Sequence, residues 1–79
     1  MNRKEIFEQF QSLCQDVFDD EDIVLDDLTT ADDVEEWDSM NHVQLIVKIE
    51  KHFNLKFELT ELQRVRTVGE FVDLIESRL

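Results

Sequence analysis

The chain has no proline and a single glycine, Gly69. Multi-stranded sheets of this length reverse at several tight turns, and those turns lean on Gly, Pro and Asn-Gly steps. A chain without them is directed toward helices joined by loops. The same count excludes a glycine-rich phosphate loop. Apolar spacing agrees. Ile6, Phe7, Phe10, Leu13, Cys14, Val17 and Phe18 recur three and four apart, which predicts a helix over about residues 3–18. A second helix is predicted over about residues 39–52. Met40, Val43, Ile46, Val47 and Phe53 line one broad apolar side of it, Leu45 and Ile49 extend that side, and Asp38 reads as its N-cap. After a short connector, Leu59, Leu62 and Val65 fit a brief third helix. Thr67-Val-Gly-Glu70 reads as a capping box opening a last helix, with Val68, Phe71, Val72, Leu74, Ile75 and Leu79 inward. The expected fold is all-α. It is a small four-helix bundle, three main helices plus one short helix, with a long acidic loop between the first and second helices. A single domain over residues 1–79 is expected.

Charge is distributed very unevenly. The net charge is -12, and residues 19–38 hold eleven acids and no base. Such a chain repels polyanions, so nucleic acid and anionic membrane surfaces are poor partners and a basic protein surface is a good one. No apolar run is long enough for membrane insertion, and the N-terminus turns amphipathic at once, so no signal peptide and a cytoplasmic monomer are expected. Ile23, Val24, Leu25, Leu28 and Val34 are the residues that would pin the acidic loop onto a core. Trp37 is expected to anchor its end.

Most catalytic chemistry is absent. One cysteine excludes an internal disulfide framework and a Cys-rich zinc site, and Cys14 on the apolar face of the first helix reads as a small buried hydrophobe. His42 follows Ser39 by three residues, but 79 residues leave no enclosed cleft for a nucleophile and its base, and both His42 and His52 are expected at the surface. The acidic stretch has no glycine, which an EF-hand loop requires, so no metal site is expected. What remains is Glu35-Glu-Trp-Asp-Ser-Met-Asn-His-Val-Gln-Leu45. Here a serine stands where an acidic loop becomes a helix, near the positive end of the helix dipole. By position alone that serine is ordinary capping chemistry.

The wider pattern singles it out. Asp38-Ser39-Met40, then Val43, Leu45, Ile49-Glu50 and Phe53, followed by a short helix and a Thr67-Val68-led closing helix, resembles the acyl carrier protein family over essentially the whole chain. The resemblance implies that Ser39, beside Asp38, is the attachment point for 4′-phosphopantetheine brought from coenzyme A by a phosphopantetheinyl transferase. The arm's thiol would hold cargo as a thioester, and partner enzymes with basic patches would do the chemistry. It implies a non-catalytic carrier for fatty-acid, polyketide or related specialised biosynthesis. Partner docking falls to Glu35, Glu36, Met40, Val43 and Glu50, with Met40 serving either as an anchor or as core. An acyl slot would be lined by Val43, Ile46, Leu59, Leu62 and Val65. Two alternatives stay open: an aminoacyl (D-alanyl or peptidyl) carrier loaded by an adenylating enzyme, and an acidic helical interaction module without a prosthetic group. Trp37 before Asp38 and the sparsely acidic second helix depart from the family pattern. They shift the electrostatic part of recognition toward the loop before Ser39.

Overall fold

The computed structural model describes residues Met1–Leu79. Four α-helices follow one another: α1 (Arg3–Val17), α2 (Ser39–Phe53), α3 (Leu59–Arg64) and α4 (Val68–Arg78). The long α1–α2 loop holds one short 3-10 turn, Ala31–Asp33, which the sequence pattern does not announce. Helix α1 packs against both α2 and α4. Ile6, Phe10 and Cys14 of α1 meet Leu45, Ile49 and Phe53 of α2 and Val68, Phe71, Val72 and Ile75 of α4, with Phe18 and Leu25 closing the core.

Each helix start is built by local polar chemistry. Asn2 and Glu5 form a reciprocal capping box at the head of α1. Thr67 and Glu70 form the predicted one at α4, where the Glu70 N–H donates to Thr67 Oγ1 at 3.1 Å and the Thr67 N–H donates to Glu70 Oε1 at 3.1 Å. At the other end of α2, Asn54 adopts a left-handed conformation (φ 54°) and its N–H caps the Glu50 carbonyl. Arg78 pairs with Glu61, tying the end of α4 to α3, and holds that carboxyl below its ordinary range.

The acidic loop is stitched to two helices. Gln11 Oε1 accepts the Leu25 N–H at 2.7 Å, and Gln15 Nε2 donates to the Ile23 carbonyl at 2.9 Å. These glutamines lie one turn apart on α1 and supply partners that a strand would otherwise provide. On the far side, the Val68 and Gly69 N–H groups donate to the Thr29 and Asp27 carbonyls at 2.8 and 3.0 Å, and Thr30 forms an isolated antiparallel bridge with Thr67. Arg3 joins all three parts through Asp27, Asp73 and the Gly69 carbonyl at 3.1, 3.0 and 3.2 Å.

Several expectations need correcting. The inward face of α2 is Leu45, Ile49 and Phe53, while Met40 and Val43 are 72% and 62% exposed and Val47 is also exposed. Leu45 and Ile49 are each close to one turn from the next inward residue, so they keep one side toward α1 while the Met40–Val43–Val47 row is rotated away. Leu79 is exposed because it is the residue after the last helical turn. In the loop, Ile23, Leu25 and Val34 reach the core, but Val24 and Leu28 point outward at 84% and 80% exposure. Ile23–Leu25 lies outside any helix, and Val24 faces away from the core on which its two neighbours pack.

Candidate functional site

Asp38 fixes where α2 begins. Its backbone is extended, its carboxylate accepts the Asn41 N–H at 2.8 Å, and its carbonyl accepts the His42 N–H at 2.8 Å. Asn41 turns its side chain back and donates to the Glu36 carbonyl at 2.8 Å, tying the end of the loop to the first helical turn. Ser39 is therefore the first residue of a 15-residue helix. Its side chain is exposed, and the N–H groups of Ser39 and Met40 have no acceptor within the chain. The hydroxyl thus stands beside two free donors at the positive end of the helix dipole.

Trp37 and His42 hold this head against the core. The indole packs on Phe18 and Phe10, with ring centroids 5.5 and 6.4 Å away, as expected of an anchor. Its Nε1–H donates to His42 Nδ1 at 2.9 Å. His42 is therefore not a free surface histidine, contrary to the sequence expectation. It is half-buried, faces Trp37 with ring planes 28° apart, and touches Phe71 edge-on. Burial lowers its pKa from the ordinary value. Sequence spacing alone misses this pair, because Trp37 precedes the helix and reaches His42 only once Asp38 has turned the chain.

Two hollows meet at this point. A shallow basin of about 450 Å³ is lined by Ala31, Trp37, Asp38, Ser39, His42 and Val43. A second hollow of about 400 Å³ lies between α2 and α3, where Val43, Ile46, Leu59 and Leu62 supply apolar walls and His42 and Gln63 the polar ones. His42 and Val43 belong to both. Val65 lies outside the second hollow, with Glu61, Arg64 and Leu74 on the other side of α3, because it is the C-cap where the chain leaves the helix.

Among the docking candidates, Glu35, Met40 and Val43 are exposed and Glu36 is half-buried near Ser39. Glu50 is different. It is half-buried and its carboxylate accepts the Phe57 N–H at 2.9 Å, so it braces the connector after α2. Cys14 is buried, and burial pushes its thiol up to about 12, so it forms no thiolate at neutral pH. No helix is long and apolar enough to cross a membrane.

Fold and site together define a small helical carrier domain: a bundle presenting one serine at a helix head beside an apolar groove. The family described as "Phosphopantetheine attachment site" matches residues 8–75. The chain is 32% identical to the acyl carrier protein of Coprothermobacter proteolyticus, over 100% of this chain and 96% of that one. It is likewise 32% identical to the acyl carrier protein of Thermotoga maritima, over 99% and 96% of the two chains. The solution structure of the holo acyl carrier protein from Geobacter metallireducens superposes with a TM-score of 0.86 at 40% identity, covering 91% of this chain and 83% of that one. The chain belongs to the acyl carrier protein family, and its prosthetic group is a covalently attached phosphopantetheine. This displaces the alternative of an interaction module without a prosthetic group.

Proposed function

We propose that Ser39 carries the phosphopantetheine and that the protein presents acyl intermediates to enzymes of fatty-acid, polyketide or related biosynthesis in the cytoplasm. The observation that carries this reading is the Ser39 head itself. An exposed hydroxyl, two unpaired N–H groups and an adjoining basin suit a phosphodiester at that oxygen. Ser39 Oγ forms the new P–O bond with the coenzyme A pyrophosphate. The pyrophosphate P–O bond breaks, adenosine 3′,5′-bisphosphate leaves, and a transferase base takes the hydroxyl proton. When bound, the group supplies a thiol that holds cargo as a thioester. Asp38 sets the helix start, so Ser39 stays on the outside of the bundle. Glu35, Glu36 and the neighbouring acids favour encounter with a basic partner surface, and Met40 and Val43 offer apolar contact beside the arm's root.

The apolar walls of the α2–α3 groove support an acyl cargo over a small amino acid, which has no hydrocarbon to fill them. Incubation with coenzyme A, magnesium and a broad-specificity phosphopantetheinyl transferase tests the attachment. Intact mass rises by one phosphopantetheine in the wild type and not in Ser39→Ala. An unchanged wild-type mass, under conditions that load a control carrier, overturns the reading.

A further inference from the structure

An indole nitrogen can only donate, so a hydrogen bond from Trp37 Nε1 to His42 Nδ1 leaves that imidazole nitrogen unprotonated. The ring proton of neutral His42 then sits on Nε2. That N–H has no partner within the chain. It is also not sealed away, because no buried side-chain nitrogen or oxygen in the molecule lacks a partner. His42 lines both the Ser39 basin and the apolar groove, so its accessible part lies where the two meet. The remaining groove walls are apolar apart from Gln63.

Resting on the assignment of the arm to Ser39, we infer that His42 Nε2–H is the donor that holds a carbonyl oxygen of the arm at the junction of basin and groove. An arm rooted at Ser39 and reaching the groove passes the His42–Val43 wall. Along that path the groove's aliphatic side chains hold hydrocarbon without direction, whereas one oriented N–H fixes which atom of the chain stops there. The ligand class is therefore a chain with a carbonyl at a set place, an amide of the arm or the thioester itself, followed by hydrocarbon. Trp37 is the positioning residue. Its N–H fixes the imidazole tautomer, and its ring, packed on Phe10 and Phe18, fixes the imidazole plane.

The test uses the full chain with labelled histidine nitrogens in apo, phosphopantetheine-loaded and octanoyl-loaded forms, each checked by intact mass. In the apo form His42 shows an acceptor-type Nδ1 and a protonated Nε2. On loading, the Nε2–H resonance moves downfield and its exchange with water slows. A change already complete without the octanoyl group assigns the acceptor to an arm amide, and one that needs it assigns the thioester carbonyl. His42→Phe keeps a ring against Trp37 and Phe71 but has no donor. Its equilibrium between seated and free arm, read from the methyl shifts of Val43, Ile46 and Leu62, falls about five-fold, the worth of one net hydrogen bond. His42→Gln places an amide N–H near the same point and recovers most of that loss. Loaded wild type with an unmoved Nε2–H signal overturns the role of His42 and leaves Ser39 standing. Failure of the wild type to gain mass removes both.

Discussion

Trp37 and His42 form a side-chain pair that joins the acidic loop, the head of α2 and the core, and the burial of the imidazole makes stability depend on pH. Burial lowers the folded-state pKa of His42 below its ordinary 6.5. The unfolded chain therefore binds this proton more readily than the folded one. The stability contributed by the neutral ring is fully present above pH 6.5 or so, and it is lost as pH falls from there through the folded-state value. Protonation also puts a hydrogen on Nδ1, opposite the indole N–H. His42→Phe removes this proton linkage along with the hydrogen bond. At pH 7.5 we expect it to be less stable than wild type by about 1 kcal/mol, the net worth of the bond. The difference should shrink as the pH is lowered past 6.5. Urea midpoints at several pH values measure it. Parallel curves for the two proteins would show that His42 titrates alike folded and unfolded.

At the scale of the elements, the loop meets α4 so closely that the lone glycine is required for space rather than for backbone freedom. A Cβ on Gly69 would lie 2.9 Å from the Asp27 carbonyl oxygen and 3.1 Å from Asp27 Cβ. The same residue donates its N–H to that carbonyl and offers its own carbonyl to Arg3. Gly69→Ala gains up to about 1 kcal/mol of helix propensity. It loses roughly 1–3 kcal/mol to overpacking against backbone that is itself hydrogen-bonded. The expected net is a destabilisation of up to roughly 2 kcal/mol, the remainder of those two opposing quantities. A midpoint at or above wild type in chemical denaturation would show that the loop gives way freely. The helices themselves were legible because period and caps are local: Asp38, Thr67 and Glu70 act as read. The orientation of α2 was not. It carries apolar residues around much of its circumference, and only the packing partner distinguishes Leu45–Ile49–Phe53 from Met40–Val43–Val47. Ser39 was singled out by its neighbours in sequence, and the structure exposes it at the head of α2. The pairing of Trp37 with His42, the Gln11 and Gln15 stitches and the bracing role of Glu50 depend on where distant backbone arrives.

Across the whole molecule, the question is how a fold tolerates eleven carboxylates and no base in residues 19–38. Part of the answer is local. Asp20, Asp26 and Asp33 accept hydrogen bonds from Asp22, Leu28 and Thr30 backbone N–H groups two or three residues away, and Asp38 caps α2. Only Asp27 meets a cation, Arg3. The carboxylates thus shape the turns while still repelling one another. The longest dimension of the molecule is 28 Å. At about 0.01 M salt the screening length is about 30 Å, so every acid of the loop feels all the others; at about 0.15 M it is about 8 Å, and only neighbours interact. Salt also weakens the four ion pairs of Arg3, Lys48 and Arg78, but exposed pairs contribute ~0–1 kcal/mol each and the repulsions outnumber them. The net effect of raising salt over that interval is therefore stabilising. We expect a gain of roughly 1–2 kcal/mol, which for a domain of this size raises Tm by roughly 5–10 °C. Reversing two of the charges in Glu35→Lys/Glu36→Lys should reduce the salt response without abolishing it. A Tm that stays flat from low to moderate salt would mean that the loop acids are already far enough apart in water to ignore one another. The acidic stretch would then cost the fold nothing, and its charge would act only on partners.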